Sequence, residues 1–241
     1  MTIEGIRKTI CQSGYVLEIE IADLLQRNGW DVFFQYPYLD KKQEKIRKID
    51  LLCFRRNLIV DYIPNPSQIL GSLVIECKKS TKHGWAFHTI KKEGSQAAFW
   101  TVLDLKERVK EIKQTQEQDP TNFMNNFHPL KKDTRIGTLC CIPPKHPDDF
   151  YEALNQILSD ITYGTGNIPR CITFPVIVFD GPIWEFYKEN GELKIKEINY
   201  LQYLSAIIEK QEVKPCLIDI VKSTYFNDFV ELIEKSFKLL S

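Results

Sequence analysis

The sequence predicts an α/β protein: an α-β-β-β-α-β core with a mixed central sheet, followed by an α+β C-terminal extension. Three observations carry this expectation. Residues 13–28 have helical spacing and run into three strand-like segments, a long helical pattern occupies 92–118, and another apolar strand pattern follows at 134–142. Of the 241 residues, 43% are hydrophobic, enough for a sizeable core.

Taken in order, SGYVLEIEIADLLQRN at 13–28 closes on Gly29, a natural helix terminator. WDVFFQYPYL is aromatic and β-branched and reads as a strand as far as Pro37; KIDLLCF and SLVIECK are two more, with Pro64 and Pro66 between them. Ala97, Ala98, Val102, Leu105 and Val109 form an apolar stripe on a helix that Asp119-Pro120 ends. TRIGTLCCI is the next strand, and a helix over 148–163 follows it. A helix joining parallel strands makes a right-handed crossover. Beyond it, ITFPVIVFDGPIWEFYKENGELKIKEI suggests an antiparallel set turning at Asp180-Gly181-Pro182 and Asn190-Gly191. CLIDIV reads as a last strand and YFNDFVELIEKSFKLL as a closing amphipathic helix. The division expected is 1–145 for the core and 146–241 for an extension packed on it, with no Gly/Ser-rich linker between.

Composition narrows the function classes. With 32 basic and 32 acidic residues the chain has no general attraction for polyanions, yet 41–56 holds seven basic and two acidic residues, so a local phosphate-facing segment is expected. No apolar run reaches membrane-spanning length and the N-terminus lacks a long uncharged segment, which together predict a soluble, cytoplasmic protein. Seven cysteines without a C-x-x-C pair read as reduced, mostly buried thiols. The four histidines are too scattered to suggest a zinc site.

Four charges break the apolar pattern. Turning the first helix by about 100° per residue puts Glu18 between Leu25 and Ala22 in the apolar arc, while Glu20 lies on the polar side. In KIDLLCF both strand faces are apolar apart from Asp50. In SLVIECK, alternation puts Glu76 and Lys78 on the face of Val74. A buried carboxylate needs a partner. If Asp50 and Glu76 approach to ~4 Å, their repulsion is about 4 kcal/mol at an effective dielectric of 20, and a proton or a cation must relieve it. Hard divalent ions accept such oxygen ligands, and magnesium takes one or two carboxylates with several waters. Lys78 would then stand beside the attacking water of a phosphodiester hydrolysis, and Glu18 could bind a second ion or a water of the first. Asp61 competes as a ligand, but VDYIPNP reads as a strand end entering a loop.

The ordered set, Gly14 to Glu18 with Ala22 on a helix, Ile49-Asp50-Leu-Leu on a strand and Ile75-Glu76-Cys77-Lys78 on the next, resembles the PD-(D/E)XK nucleases, the restriction-endonuclease-like superfamily. The resemblance covers residues 13–142 and departs from the family name at Ile49, which stands where proline would. It implies an αβββαβ core, Asp50 and Glu76 as Mg2+ ligands (Mn2+ as an alternative), the Cys77 carbonyl as a third ligand, Lys78 as the catalytic lysine, and Glu18 as a catalytic or metal-binding carboxylate. Gln96, in SQAAFW, resembles the Q-x-x-x-Y element of exonuclease-like members, with Trp100 in place of tyrosine. A helix-capping or surface glutamine is the blander reading.

The function expected is therefore Mg2+-dependent hydrolysis of nucleic acid, double-stranded DNA first, in a bacterial restriction or anti-phage defence setting, with a homodimer or larger assembly for double-strand cutting. Lys48, Arg55, Arg56, Lys79, Lys82 and Gln96 are the candidate nucleic-acid contacts. Trp85 and Phe87 could stack on bases, although core aromatics are commoner. The alternatives are an inactive nuclease-fold module that binds nucleic acid or a partner protein, and a structural subunit whose carboxylates pair with Lys78.

Overall fold

In the computed structural model, which describes residues 2–40, 43–55, 70–80, 83–91, 135–141, 148–163, 171–209 and 212–238, ten strands form one mixed sheet with helices on both faces. Chain order is α1 (Ile3–Gln12), α2 (Tyr15–Arg27), β1 (Trp30–Asp40), β2 (Lys45–Arg55), β3 (Leu70–Lys79), β4 (Trp85–Lys91) and β5 (Arg135–Cys141). There follow α3 (Asp148–Tyr163), β6 (Cys171–Asp180), β7 (Ile183–Glu189), β8 (Glu192–Ile198), β9 (Tyr200–Glu209), β10 (Glu212–Lys222), a 3-10 turn and α4 (Phe226–Lys238). The strands lie in the order β1-β2-β3-β6-β10-β9-β5-β4-β7-β8.

Helix α2 ends where the sequence places its stop: Asn28 caps it and Gly29 takes the left-handed φ of +82° that closes the turn. Arg55 completes the cap, its guanidinium donating to the Asn28 and Gly29 carbonyls at 2.8 and 3.2 Å. Strand β1 continues through Pro37 to Asp40, which a proline permits because β1 is an edge strand. The Asn190-Gly191 turn has φ of +51° and +85° and joins β7 to β8 as an antiparallel hairpin, as expected.

The alternating apolar residues of the central strands feed two separate cores. Leu51, Cys53, Leu73, Ile75, Val176 and Val178 face Leu17, Ile21 and Leu25 of α2 and Phe226, Phe229 and Ile233 of α4. Leu52, Val74, Ile177, Phe179 and Ile220 face the opposite way, onto Phe150, Ala153 and Ile157 of α3 together with Trp85 and Phe87 of β4. The central sheet is thus sandwiched between α2 with α4 and α3.

The structure departs from the expected arrangement in how the strands pair. The strand parallel to β3 is β6, in register from Leu70 opposite Cys171 to Lys79 opposite Asp180, and not the strand at 135–141; β5 instead pairs with β4 and β9. The helix packed against both β3 and β6 is α3, which follows β4 and β5 in the chain; the helix expected at 92–118 lies outside the described residues. Strands β6 and β10, which belong to residues 146–241, occupy the middle of the sheet. The reason is hydrophobicity. β6 reads FPVIVF and is buried from Phe174 to Phe179, the pattern of a strand covered on both faces. Strands β6 and β7, expected to pair with each other, do not; each pairs elsewhere. Helix α1 and strands β4 and β9 add to the elements expected.

Candidate functional site

The charged residues that interrupt the apolar runs collect where β2 and β3 part. Their antiparallel ladder runs from Phe54 opposite Ser72 to Leu51 opposite Ile75, and the next positions along are Asp50 and Glu76. There, main-chain N–H groups turn to carboxylates: the Cys77 N–H donates to Asp50 Oδ2 at 2.8 Å and the Asp50 N–H to Glu76 Oε1 at 3.4 Å.

The β1–β2 ribbon changes face at the same point. Before it, Trp30, Leu51 and Cys53 belong to the α2 core; beyond it, Ile49 joins the α3 core and Tyr38 reaches Gln156 of α3. Gln35, between the register pairs Phe34–Leu51 and Tyr36–Ile49 that flank Asp50, has a φ of +49° in mid-strand. The reversal accounts for both strand faces around Asp50 appearing buried in the sequence.

Glu18, in the first turn of α2, is 8% exposed and enters from the other side, while Glu20 is exposed on the polar side of the helix. Gln35 links it to the strands: the same Nε2 donates to Glu18 Oε2 at 2.9 Å and to Asp50 Oδ1 at 3.3 Å. Glu76 is fully buried; its Oε2 has no hydrogen-bond partner among the described residues and lies 3.6 Å from Lys78 Nζ. Lys78 in turn donates to Gln156 Oε1 at 3.3 Å and lies 4.0 Å from Glu152.

Burial raises the Glu18 carboxyl above its ordinary value of 4.5, and the Asp50 charge adds to the shift. The same desolvation raises Asp50 against the opposing Cys77 N–H and Lys78. Glu76 is pushed well up, by burial first and by Asp50 second, with Lys78 opposing. Three carboxyl groups thus resist ionisation together, the condition that added positive charge relieves.

The donor set fits magnesium or manganese in kind: carboxylate oxygens, one of them buried and without a hydrogen bond, beside a lysine. Among the described residues no group of three or more His, Cys, Asp or Glu side chains forms a ready-made cation cage. The side chain set between Glu18 and Asp50 is the Gln35 amide. The Cys77 thiol belongs to the α2 core, and burial pushes it well above the ordinary thiol range.

Sequence reasoning named Glu18, Asp50, Glu76 and Lys78, and all four meet here. It missed Gln35, Gln156 and Glu152. The signal for Gln35 was its place as a polar residue inside WDVFFQYPYL; nothing comparable marks Gln156 or Glu152 on α3.

The expected nucleic-acid contacts divide. Lys48 is exposed on β2, two residues from Asp50. Lys79 pairs with Asp180 at 3.4 Å. Arg55 caps α2, pairs with Glu234 of α4 at 2.9 Å and lies over Trp30, so it ties elements together. Trp85 and Phe87 are core residues, Trp85 stacked on Phe179 with ring centroids 3.8 Å apart, and do not present a surface to bases. Arg56, Asp61, Lys82 and Gln96 lie outside the described residues.

Comparison with protein-family models, curated proteins and solved structures finds no match for this chain. Among the described residues, no helix is long and apolar enough to cross a membrane.

Proposed function

We propose that the protein is a metal-dependent nuclease that hydrolyses phosphodiester bonds, with double-stranded DNA as its substrate. The observation that carries this reading is the meeting of Glu18, Asp50, Glu76 and Lys78, from one helix and two strands, at the point where β2 and β3 separate. The order α2-β1-β2-β3, followed after the intervening β4 and β5 by α3 and a β6 parallel to β3, is what supports a restriction-endonuclease-like core. A place in a cytoplasmic restriction or anti-phage defence system is part of the same proposal.

In this reading Asp50 and Glu76 would hold Mg2+, and Glu18 would bind a second ion or a water of the first. The ion supplies charge neutralisation at the phosphate and a more acidic water. The chain's own groups do the rest. Lys78, held by Gln156 and drawn by Glu76, directs its ammonium to the attacking water and to a phosphate oxygen. The Cys77 N–H fixes Asp50 so that one of its oxygens stays in place. Lys48, exposed on the strand that carries Asp50, is the described basic residue placed to meet the nucleic-acid backbone.

The test is incubation with plasmid, linear duplex, single-stranded DNA and RNA, each with Mg2+, Mn2+ or chelator, beside Lys78→Ala. Cleavage that needs the ion and falls by about 10²- to 10⁴-fold in the variant is the expected result. Equal cleavage by Lys78→Ala refutes the assignment, and metal-dependent binding without any product favours the inactive binding module.

A further inference from the structure

We propose that Gln35 belongs to the cation site: its amide NH2 spans Glu18 and Asp50, and the same side chain, by turning its Oε1 inward, shares in holding a divalent cation. The inference rests on the nuclease reading and adds a residue that no sequence motif marks.

Placement is the first argument. A single Nε2 donates at 2.9 Å to a carboxylate of α2 and at 3.3 Å to a carboxylate of β2, so the amide carries its partial positive charge to the gap between two repelling groups. Without ion or amide, a buried and a half-buried like charge would face each other. The second argument is conformation. Gln35 takes a φ of +49° with the register unbroken on either side, Phe34 opposite Leu51 and Tyr36 opposite Ile49. A non-glycine residue in the left-handed region is strained and persists only where its surroundings hold it. Here that backbone lies between the register pairs that flank Asp50, where the ribbon changes face.

Chemistry supplies the third argument. A carboxamide carries a two-hydrogen donor on one atom and a hard oxygen acceptor on the other, and rotation about its last side-chain bond exchanges them. The group that holds the carboxylates without an ion can therefore become a ligand without any backbone shift.

Two variants of nearly the same size separate the amide's roles. Gln35→Lys replaces the donor with a fixed cation, and Gln35→Glu keeps an oxygen while removing the donor. Mn2+ binding is measured by titration calorimetry, and thermal melting is followed by circular dichroism in chelator and in Mn2+. Gln35→Lys is expected to melt higher than the parent in chelator and to lose Mn2+ binding. Gln35→Glu is expected to melt lower in chelator and to bind Mn2+ about tenfold or more tightly. Parental Mn2+ affinity in both variants, whether or not their melting changes, overturns the role of Gln35 and leaves the nuclease reading standing. No Mn2+ binding by the parent, or binding that survives Asp50→Asn unchanged, overturns the nuclease reading and this inference with it.

Discussion

Glu76 shows how one residue can weaken the fold for the sake of a site. Its carboxyl is fully buried, and among the described residues its Oε2 lacks a hydrogen bond and pairs with Lys78 Nζ at 3.6 Å. Desolvation and the Asp50 charge raise its folded pKa well above 4.5. Between the ordinary value and the raised one, the folded state keeps a proton that the unfolded state has released. Stability is then present in full below the ordinary value and is lost as pH rises through the folded one. In chelator, denaturant midpoints should fall as pH rises from about 5 toward 8, and Glu76→Gln should flatten the decline and melt higher at its alkaline end. A steeper decline in the variant, or stability rising with pH in the parent through this window, contradicts the assignment. Gln35 shows the complement: a polar residue at φ +49° is legible as an odd letter in a strand, but its task is not, because its two partners lie 17 and 15 positions away.

At the scale of elements, close approach sets the joins. Gly84 precedes β4, where the Trp85 N–H donates to the Pro182 carbonyl at 3.0 Å and Trp184 of β7 lies against the glycine. A Cβ at Gly84 would enter the Trp184 ring and come within 2.5 Å of the Pro182 oxygen. Gly84→Ala should cost about 1–3 kcal/mol in denaturant unfolding, with the pairing of β4 and β7 the part disturbed. An unchanged midpoint would show that this join yields freely. Arg55 is the corresponding case for charge. A basic segment at 41–56 looks like a phosphate-facing run in sequence, yet this arginine is spent on the end of α2 and on Glu234 of α4. Charge counts cannot distinguish a cap from a contact, since both need the same guanidinium.

For the molecule as a whole, the crossing from β3 to β6 matters most. Ten register positions join residues about a hundred apart in sequence, and β6 is covered on both faces. A fragment ending at residue 145 would therefore expose the β6-facing edge of β3 and the apolar faces of α2 and β2 that α4 and α3 cover. Residues 1–145 should express as aggregate or as an unfolded chain, with narrow amide proton dispersion. A soluble fragment with a cooperative melt would show that the first segment folds without its central partner.

What the sequence determined by itself was local: where α2 starts and stops, that β2 and β3 are apolar enough to be central, that Asn190-Gly191 turns a hairpin, and that Glu18, Asp50, Glu76 and Lys78 violate their surroundings. Those features follow from periodicity, turn stereochemistry and the cost of burying charge, which act over a few residues. Tertiary structure alone decided which strand lies beside β3, which helix crosses over it, and that Gln35 and Gln156 join the charged residues. Several apolar strands could have taken the place of β6, and only simultaneous packing against two helical layers chooses among them.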